Sequence, residues 1–583
     1  LPLRKNKKTT PIMQEIVGFD SETVLTKEGK YLTHKFYSAQ FYSEIPIFKG
    51  KNFLFTQNPF EVQAIFSKTN RGRIFLALNA EFDFCVLAKI LRTEPLKLKC
   101  LYNKSRFLYG KILKNRSAYK IYDLMNIFNG WSLKKLGEFL GLPKLEKPPY
   151  LGERAPQTPA EMEYFKKYAM RDAEICYLAG KWLIEKFGKV TVSAPSLAFW
   201  YFNNKYRPYG LYYSAVDPLK SKLRLAYKGG RCEAFMRGSI PQTVYAYDKI
   251  SLYPSVMLDN YFPMGFYGFE QQDEINFRNE GLAYCTVKSD LELPFLCIKH
   301  LCADKNVKLV FPNGTFKGWF TYPELRFFKH ELKQEILTVH ECYETSESKK
   351  YFKEYIEEFF ELKNADKEHA SFWKLFMNSL YGKFAQDAHS PELIITDKGE
   401  IVIGKQKSSK KINFKTNILV SAYIAAYARI DMYHTMKKVG VENLVYTDTD
   451  SIHTLKPIKE IGVNLGDLAF VCEGKGMYVR SKFYILNDMV KCRGMEHIFS
   501  AENVRKLIEK DDVECMGRTL LRLRAAFRQH KPFLTQQDTS KHFSTKTDCK
   551  RTYAKLLNGA ELLSNYTLSK PLILGEKENG FTT

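Results

Sequence analysis

Asp248 opens the run Asp248-Lys249-Ile250-Ser251-Leu252-Tyr253-Pro254-Ser255, and far along the chain two more acids stand in Tyr446-Thr447-Asp448-Thr449-Asp450-Ser451. Folded onto one platform, these carboxylates would hold a pair of divalent cations. One cation sharpens an attacking hydroxyl and the other takes charge off a departing pyrophosphate, so acids must converge where phosphate would otherwise be repelled. The chemistry this suggests is addition of a nucleotide to a primer. The first third carries a second acidic set: Asp20-Ser21-Glu22, then Asn79-Ala80-Glu81-Phe82-Asp83, then Asp172. Tyr168 stands four residues before Asp172, which puts the two on one helix face. Each fragment alone is weak, because paired acids at strand ends are usually solvated or salt-bridged. Three in order make the case for another two-metal site.

A further stretch, Lys374-Leu375-Phe376-Met377-Asn378-Ser379-Leu380-Tyr381-Gly382, has helical character. At about 100° per residue, Lys363, Lys367, Lys374, Asn378 and Tyr381 fall within roughly 60° of one another on one face. That face offers cations to a triphosphate and a ring to a base pair, and Gly382 lets a backbone approach closely. By itself, a surface helix with a lysine stripe is the commoner outcome.

These residues need platforms. Ile16 to Phe19 and Ile74 to Leu78 read as strands ending at acids or amides, and a helical pattern covers Pro159 to Phe187, giving an α/β domain over the first third. Ser193 to Pro208 reads as a connector. From Val244 strands mix with long helices, among them Glu354 to Phe384, charged on one face. Asn417 to Ile430 is apolar apart from Asn417, Ser421 and Arg429, and predicts a core helix too short to cross a bilayer. Pro312-Asn313-Gly314 marks a turn, and Leu393 to Ile395 with Ile401 to Ile403 flank a hairpin that continues into Lys405 to Lys411. A basic hairpin suits a DNA clamp, although a solvated loop is the usual fate of a charge run.

A chain of 583 residues, 45% hydrophobic, exceeds what one core sustains and predicts several domains. Lys and Arg number 89 against 64 Asp and Glu, a formal charge of +25 that favours a polyanionic partner. The excess is spread along the chain, which ranks membrane binding low. The basic start is not followed by a secretory apolar segment, so an intracellular, cytoplasmic location is expected. The 12 cysteines show no Cys-x-x-Cys pair and no regular spacing with His. Reduced, mostly buried thiols are expected, not a zinc site or a disulfide framework.

Taken in order, the Asp248, Lys374 and Tyr446 segments resemble the three polymerase motifs of family B DNA polymerases. Lys482-Phe483-Tyr484 is similar to the family's Lys-x-Tyr element at the primer terminus, and Tyr227-Lys228-Gly229-Gly230 to its Tyr-x-Gly-Gly element, whose glycines admit a DNA backbone. The resemblance implies Asp248 and Asp450 as metal ligands with Asp448 beside them. It implies Tyr253 as the steric gate against ribose, next to Ser251 and Leu252, and Lys363, Lys374, Asn378 and Tyr381 as the rest of the nucleotide site. Tyr227, Gly229, Gly230, Lys482 and Tyr484 would contact DNA. The first third resembles the family's proofreading exonuclease, with Asp20, Glu22, Asp83 and Asp172 on two metals and Tyr168 orienting water. Thr23, Asn79 and Phe82 would seat the frayed primer end, and Asp123 would add a further acid. Ser132 and Leu133, opening Ser132-Leu133-Lys134-Lys135-Leu136, resemble an element that meets single strands and a priming protein. The cofactor implied is Mg²⁺, two per active site, with Mn²⁺ able to substitute.

The fold so implied is α/β and α+β multidomain: a ribonuclease-H-like 3′–5′ exonuclease followed by a right-hand polymerase with two insertions. The expected bounds are exonuclease 1–195, palm 196–264 and 417–490, fingers 351–385, insertions 265–350 and 386–416, and thumb with tail 491–583. Compact length and the placing of both insertions resemble the protein-primed branch, found in phages, viruses and linear plasmids. Expected partners are primer-template DNA, dNTPs, a terminal priming protein and a single-stranded-DNA-binding protein, with the chain itself a monomer. Two alternatives stay open: extension of nucleic-acid primers or of none, and a repair exonuclease whose second half only binds DNA.

Overall fold

Strand formation in the first third follows from alternation: Val17 and Phe19 are fully buried, and Asp20 and Glu22 continue the same chain two residues apart. The computed structural model describes residues 14–575, apart from 29–30, 92–96, 104–105, 115, 209–210, 212–216, 265–269, 303–304, 387–391, 397–399, 405–416, 493–499, 511 and 530. The basic run Lys405 to Lys411 therefore lies outside the described residues. The chain divides into two compact units, one of residues 1–201, 388–410 and 516–539, the other of 202–387, 411–515 and 540–583. Residues 516–539, expected in the thumb, thus group with the first unit.

In the first unit the strands lie in the order Ile401–Ile403, Glu392–Ile395, Lys97–Asn103, Arg106–Lys114, Ser117–Asp123, Ile74–Ala77, Ile16–Glu28, Tyr31–Tyr42 and Thr535–Ser544. Ile74–Ala77 runs parallel to both of its neighbours, and Ile16–Glu28 pairs antiparallel with Tyr31–Tyr42. Asp20 and Glu22 were expected at a strand end, yet the strand runs on to Glu28 with a bulge between Glu22 and Thr23. The hairpin at Leu393 to Ile403 forms as expected, Leu393 opposite Ile403. The helix Pro159–Phe187 starts on the Thr158 cap with Pro at its first turn and ends at Gly188 in left-handed conformation. It crosses the sheet where Gly18 and Gly180 leave no room for a Cβ, against the Ala173 carbonyl and the Leu76 side chain. That close crossing brings Asp172 down beside Asp20.

The second unit is built on an antiparallel sheet ordered Met489–Cys492, Phe483–Leu486, Leu468–Arg480, Met236–Lys249, Ser451–Thr454, Leu444–Asp448 and Cys232–Ala234. The helix Ile418–Val439, capped by Asn417, is buried along most of its length, as its apolar sequence predicts. Residues 265–350 hold a further sheet through Glu270–Gln272, Glu335–Thr345, Glu280–Ser289 and Asn313–Thr321. The expected turn at Pro312-Asn313-Gly314 is instead a strand start, because Asn313 and Gly314 pair in parallel with Ile573 and Leu574.

Two other expectations are corrected and one is refined. Ser193 to Pro208 does contain the passage from the first unit to the second, which falls between Tyr201 and Phe202, but it is the helix Ala194–Lys205, with Leu197, Ala198 and Phe202 fully buried. Glu354 to Phe384 is two helices, Lys353–Ala365 and Ala370–Phe384. The break is fixed by Asp366, whose carboxylate accepts from the His369 amide at 3.2 Å and Trp373 Nε1 at 3.0 Å. Finally, Cys302 and Cys549 form a disulfide with Cα atoms 6.2 Å apart, whereas the other described cysteines are thiols. The pairing joins residues 247 positions apart and leaves no trace in local spacing. Among the described residues no helix is long and apolar enough to cross a membrane.

Candidate active sites

In the second unit, Leu444–Asp448 and Ser451–Thr454 form a hairpin whose turn is Thr449-Asp450. Thr449 takes a left-handed φ of 66°, and the turn closes through Asp450 N–H donating to the Asp448 carbonyl at 2.8 Å. Ser451 lies opposite Asp248, and Lys249 N–H donates to the Asp450 carbonyl at 2.8 Å. Asp450 and Asp248 are therefore neighbours across a register step. Burial raises the pKa of Asp450, and the charges of Asp248 and Asp448 raise it further. Burial likewise raises Asp248, offset by Lys374 and Lys491. Asp448 is different: both of its oxygens accept from Lys482 Nζ at 2.9 Å. Lys482 itself has a φ of 60°, and its N–H donates to the Tyr446 hydroxyl at 3.0 Å. The Tyr484 ring packs on Tyr446 at 5.0 Å.

Tyr253, on the helix Leu252–Asp259, stacks on Tyr381 with ring centroids 3.9 Å apart and planes at 24°. Ser251 caps that helix with a φ of 51°, its hydroxyl buried without a partner, and the Leu252 side chain is buried in the core. Lys363 is on the other helix of the pair, not on the Lys374 face as expected, but lies close enough that Lys374 adds to the lowering of its pKa by burial. Asn378 donates to the Lys374 carbonyl at 2.9 Å. Tyr227 is raised to about 12 by burial and then by Tyr381. A Cβ on Gly230 would stand 2.8 Å from Thr449, while Gly229 faces open space. So Gly230 is small to admit the Thr449 turn, and only Gly229 leaves room for a ligand.

Sequence reasoning noted Arg429 only as a break in an apolar run. Its buried guanidinium donates to the Lys228 and Gly229 carbonyls and to Glu324 Oε1, each at 2.8 Å, and so holds the Tyr227–Gly230 segment in place. Charge in a buried helix face was the available signal. Arg231, whose carbonyl accepts from Thr449 N–H at 2.7 Å, gave none.

In the first unit, carboxylate oxygens of Asp20, Glu22 and Asp172 lie within 4.8 Å of one another, the arrangement a divalent cation requires. Burial and the neighbouring acids push Glu22 up to about 8 and Asp20 well above its usual range. Asp20 accepts from Gln40 Nε2 at 2.5 Å. Asp83 stands outside the triangle, with one oxygen accepting from Ser21 N at 2.9 Å and Ser21 Oγ at 2.6 Å, and burial raises it to about 7. Tyr168 and Asp172 share a face of the helix Pro159–Phe187 as their spacing predicts, and burial followed by the charge of Asp172 raises the Tyr168 pKa. Lys144, which sequence reasoning missed, pairs with Asp172 and lies 4.5 Å above the Tyr168 ring. Asp123 serves backbone: one oxygen accepts from Asn79 N at 2.8 Å and Met125 N at 2.9 Å. Asn79, at a φ of 66°, starts the helix Ala80–Ile90, whose first turn carries Phe82 and Asp83. Thr23 touches His34. Ser132 caps the helix Leu133–Phe139, its hydroxyl accepting from Lys135 N at 3.2 Å.

Residues 163–460 match the family model described as DNA polymerase type B, organellar and viral. A protein described as a probable DNA polymerase in Neurospora intermedia is 32% identical over 298 residues, covering 44% of this chain and 30% of that protein. The DNA-directed DNA polymerase of Enterobacteria phage PRD1 is 24% identical over 489 residues, 78% of each chain. The matches to the Neurospora intermedia, Ascobolus immersus, Agaricus bitorquis and Podospora anserina proteins span less than half of those proteins' own length. In fold, the chain is similar to Phi29 DNA polymerase complexed with primer-template DNA and incoming nucleotide, with a TM-score of 0.70 at 16% identity over 91% of this chain and 100% of that one. Phi29 DNA polymerase complexed with single-stranded DNA gives a TM-score of 0.64. The family match spans over half of the chain's length and includes Asp248, Lys374 and Asp450, and the chain belongs to the type B DNA polymerases of the organellar and viral kind.

Proposed function

We propose that the chain is a template-directed DNA polymerase with a 3′–5′ proofreading exonuclease, and that it begins synthesis on a protein hydroxyl. The observation that carries the reading is the hairpin tip setting Asp450 beside Asp248, with Lys374 acting on both and Tyr253 stacked on Tyr381. Two neighbouring acids whose pKa values are raised, Asp450 in part by the charge of Asp248, are stabilised in their charged form by a cation placed between them, so the donor set fits divalent metal. Asp248 and Asp450 would hold Mg²⁺, or Mn²⁺ in its place, and bound metal supplies charge stabilisation for nucleotidyl transfer.

The chain's own residues bind and orient. Lys374 and Lys363 meet the triphosphate. Ser251 and Leu252 offer their backbone, because the Ser251 hydroxyl and the Leu252 side chain are both buried. Tyr253 fills the space a 2′-hydroxyl needs, held there by the Tyr381 ring, while Asn378 shapes the same wall. Lys482 and Tyr484 hold the primer terminus, and Tyr227 and Gly229 border the path of the DNA. In the first unit Asp20, Glu22, Asp83 and Asp172 hold metal and Tyr168 orients the attacking water. Thr23, Asn79 and Phe82 seat the single strand, with Ser132 and Leu133 beyond them.

Protein priming is supported by the separate sheet in residues 270–345 and by likeness to phage polymerases. A terminal protein and a single-stranded-DNA-binding protein are the partners of this reading, and a phage, virus or linear plasmid is its setting. Asp450→Asn should lower primer extension in Mg²⁺ by about a thousandfold or more while degradation of single strands persists. Extension at the wild-type rate would remove the assignment. In the same assay, labelled dNMP should become covalently bound to a priming protein; label only on DNA primers would leave a nucleic-acid-primed enzyme.

A further inference from the structure

Thr23 and Phe82, both beside the carboxylate cluster, share a neighbour that no motif contains. His34 Nδ1 lies 2.9 Å from Thr23 Oγ1, and the same ring meets Phe82 edge-on, with centroids 5.4 Å apart and planes at 87°. His34 sits on the strand Tyr31–Tyr42, opposite Leu25. Its backbone is fixed from the far side by a remote stretch of chain: His34 N–H donates to the Leu534 carbonyl at 3.2 Å, and Thr33 and Leu32 pair with Thr535 and Gln536. Phe82 is braced through the preceding residue, where Glu81 accepts from the Tyr102 hydroxyl at 2.8 Å and Arg522 Nη1 at 3.2 Å.

A threonine hydroxyl beside a carboxylate cluster that would hold cations suits a phosphate or sugar oxygen, and an apolar ring suits the face of a base. Both can serve one nucleotide only in a fixed relation. An isolated hydroxyl rotates freely and an isolated ring turns about its side-chain torsions, and that freedom must be given up on binding. The imidazole removes it beforehand on both counts, by hydrogen bond to one residue and edge-to-face contact to the other. Burial and the nearby Lys89 lower the His34 pKa, so at neutral pH the ring is uncharged, with one nitrogen protonated and one bearing a lone pair.

We propose that His34 is a positioning residue of the proofreading site: it sets the Thr23 hydroxyl and the Phe82 ring in the one geometry that accepts a single-stranded 3′ end. It thereby governs affinity for the strand and not the rate of bond cleavage. The inference rests on the exonuclease reading of this site.

The test is steady-state 3′–5′ degradation of a single-stranded oligonucleotide by the full chain with Mg²⁺. His34→Ala should raise KM roughly three- to tenfold, the worth of one hydrogen bond, with kcat within about twofold. His34→Gln, whose amide can still reach Thr23, should recover most of the loss. Combined with Thr23→Val, His34→Ala should cost no more than the worse single change, since the two act as a unit. An unchanged KM, or a fall confined to kcat, overturns the role. Should His34→Ala fail to fold, His34→Phe, which keeps a ring against Phe82 but cannot hydrogen-bond Thr23, takes its place in the cycle with Thr23→Val, and full additivity there overturns the role. Absence of degradation by the unaltered chain would instead remove the exonuclease reading, so the two failures are distinguishable.

Discussion

Three carboxylates at the hairpin tip are divided by what each touches. Lys482 pairs with Asp448, while Asp248 and Asp450 are both raised by burial and both drawn back down by Lys374. The cluster of the first unit carries greater stress of the same kind and has a measurable consequence. Burial moves Glu22 from 4.5 to about 8, so between those values the folded, metal-free protein binds more protons than the unfolded chain. Stability falls with pH wherever the folded state holds the extra protons. The Glu22 contribution is therefore complete below about pH 4.5 and is lost as pH rises to about 8. Thermal melts of metal-free protein should show wild type losing ground to Glu22→Gln from about pH 5 to about pH 8, with added Mg²⁺ restoring more at the upper end. A difference that does not vary with pH would mean that Glu22 is not buried among acids. None of this balance is visible in a list of acidic residues, which gives their order and not their counter-ions; Lys144 and Lys482 supply those from segments chosen by the fold.

Elements were legible where their signals were local. The helix Pro159–Phe187 begins and ends where Thr158, Pro159 and Gly188 say it should, and the two runs expected to form a hairpin, Leu393 to Ile395 and Ile401 to Ile403, pair antiparallel. Misreadings came where tertiary contacts decide. Asp366 interrupts a run that looks continuous in periodicity, and Ala194–Lys205 is helical because packed aromatics hold it, not because it is amphipathic. Gly230 shows how an element constrains chemistry through contact alone. Gly230→Ala would press a Cβ onto the Thr449 turn and shift Asp450 by a fraction of an ångström. Primer extension should fall by about 10- to 100-fold, as small displacements of catalytic groups do, with single-strand degradation retained. Gly229→Ala, which faces open space, should cost far less, and equal losses would refute the contact argument.

At the scale of the molecule, the proposed function makes the charge of +25 the main source of affinity for DNA. Affinity for primer-template DNA should fall linearly on a log–log plot against salt, with a slope of about −0.9 per phosphate neutralised. A flat response would set the charge aside as incidental. The division of the chain was the least legible feature, since sequence order suggested successive domains and the first unit draws on three separate stretches. Glu392–Ile395 covers the strand Lys97–Asn103, and Thr535 and Gln536 cover Thr33 and Leu32. A polypeptide ending at residue 201 would leave both of those strands with bare edges, open to pairing with other chains. The sheet that contains Ile16–Glu28 is thus closed only by segments synthesised long after it, and a nascent chain that has not yet reached them carries two unpaired strand edges for the whole of that interval.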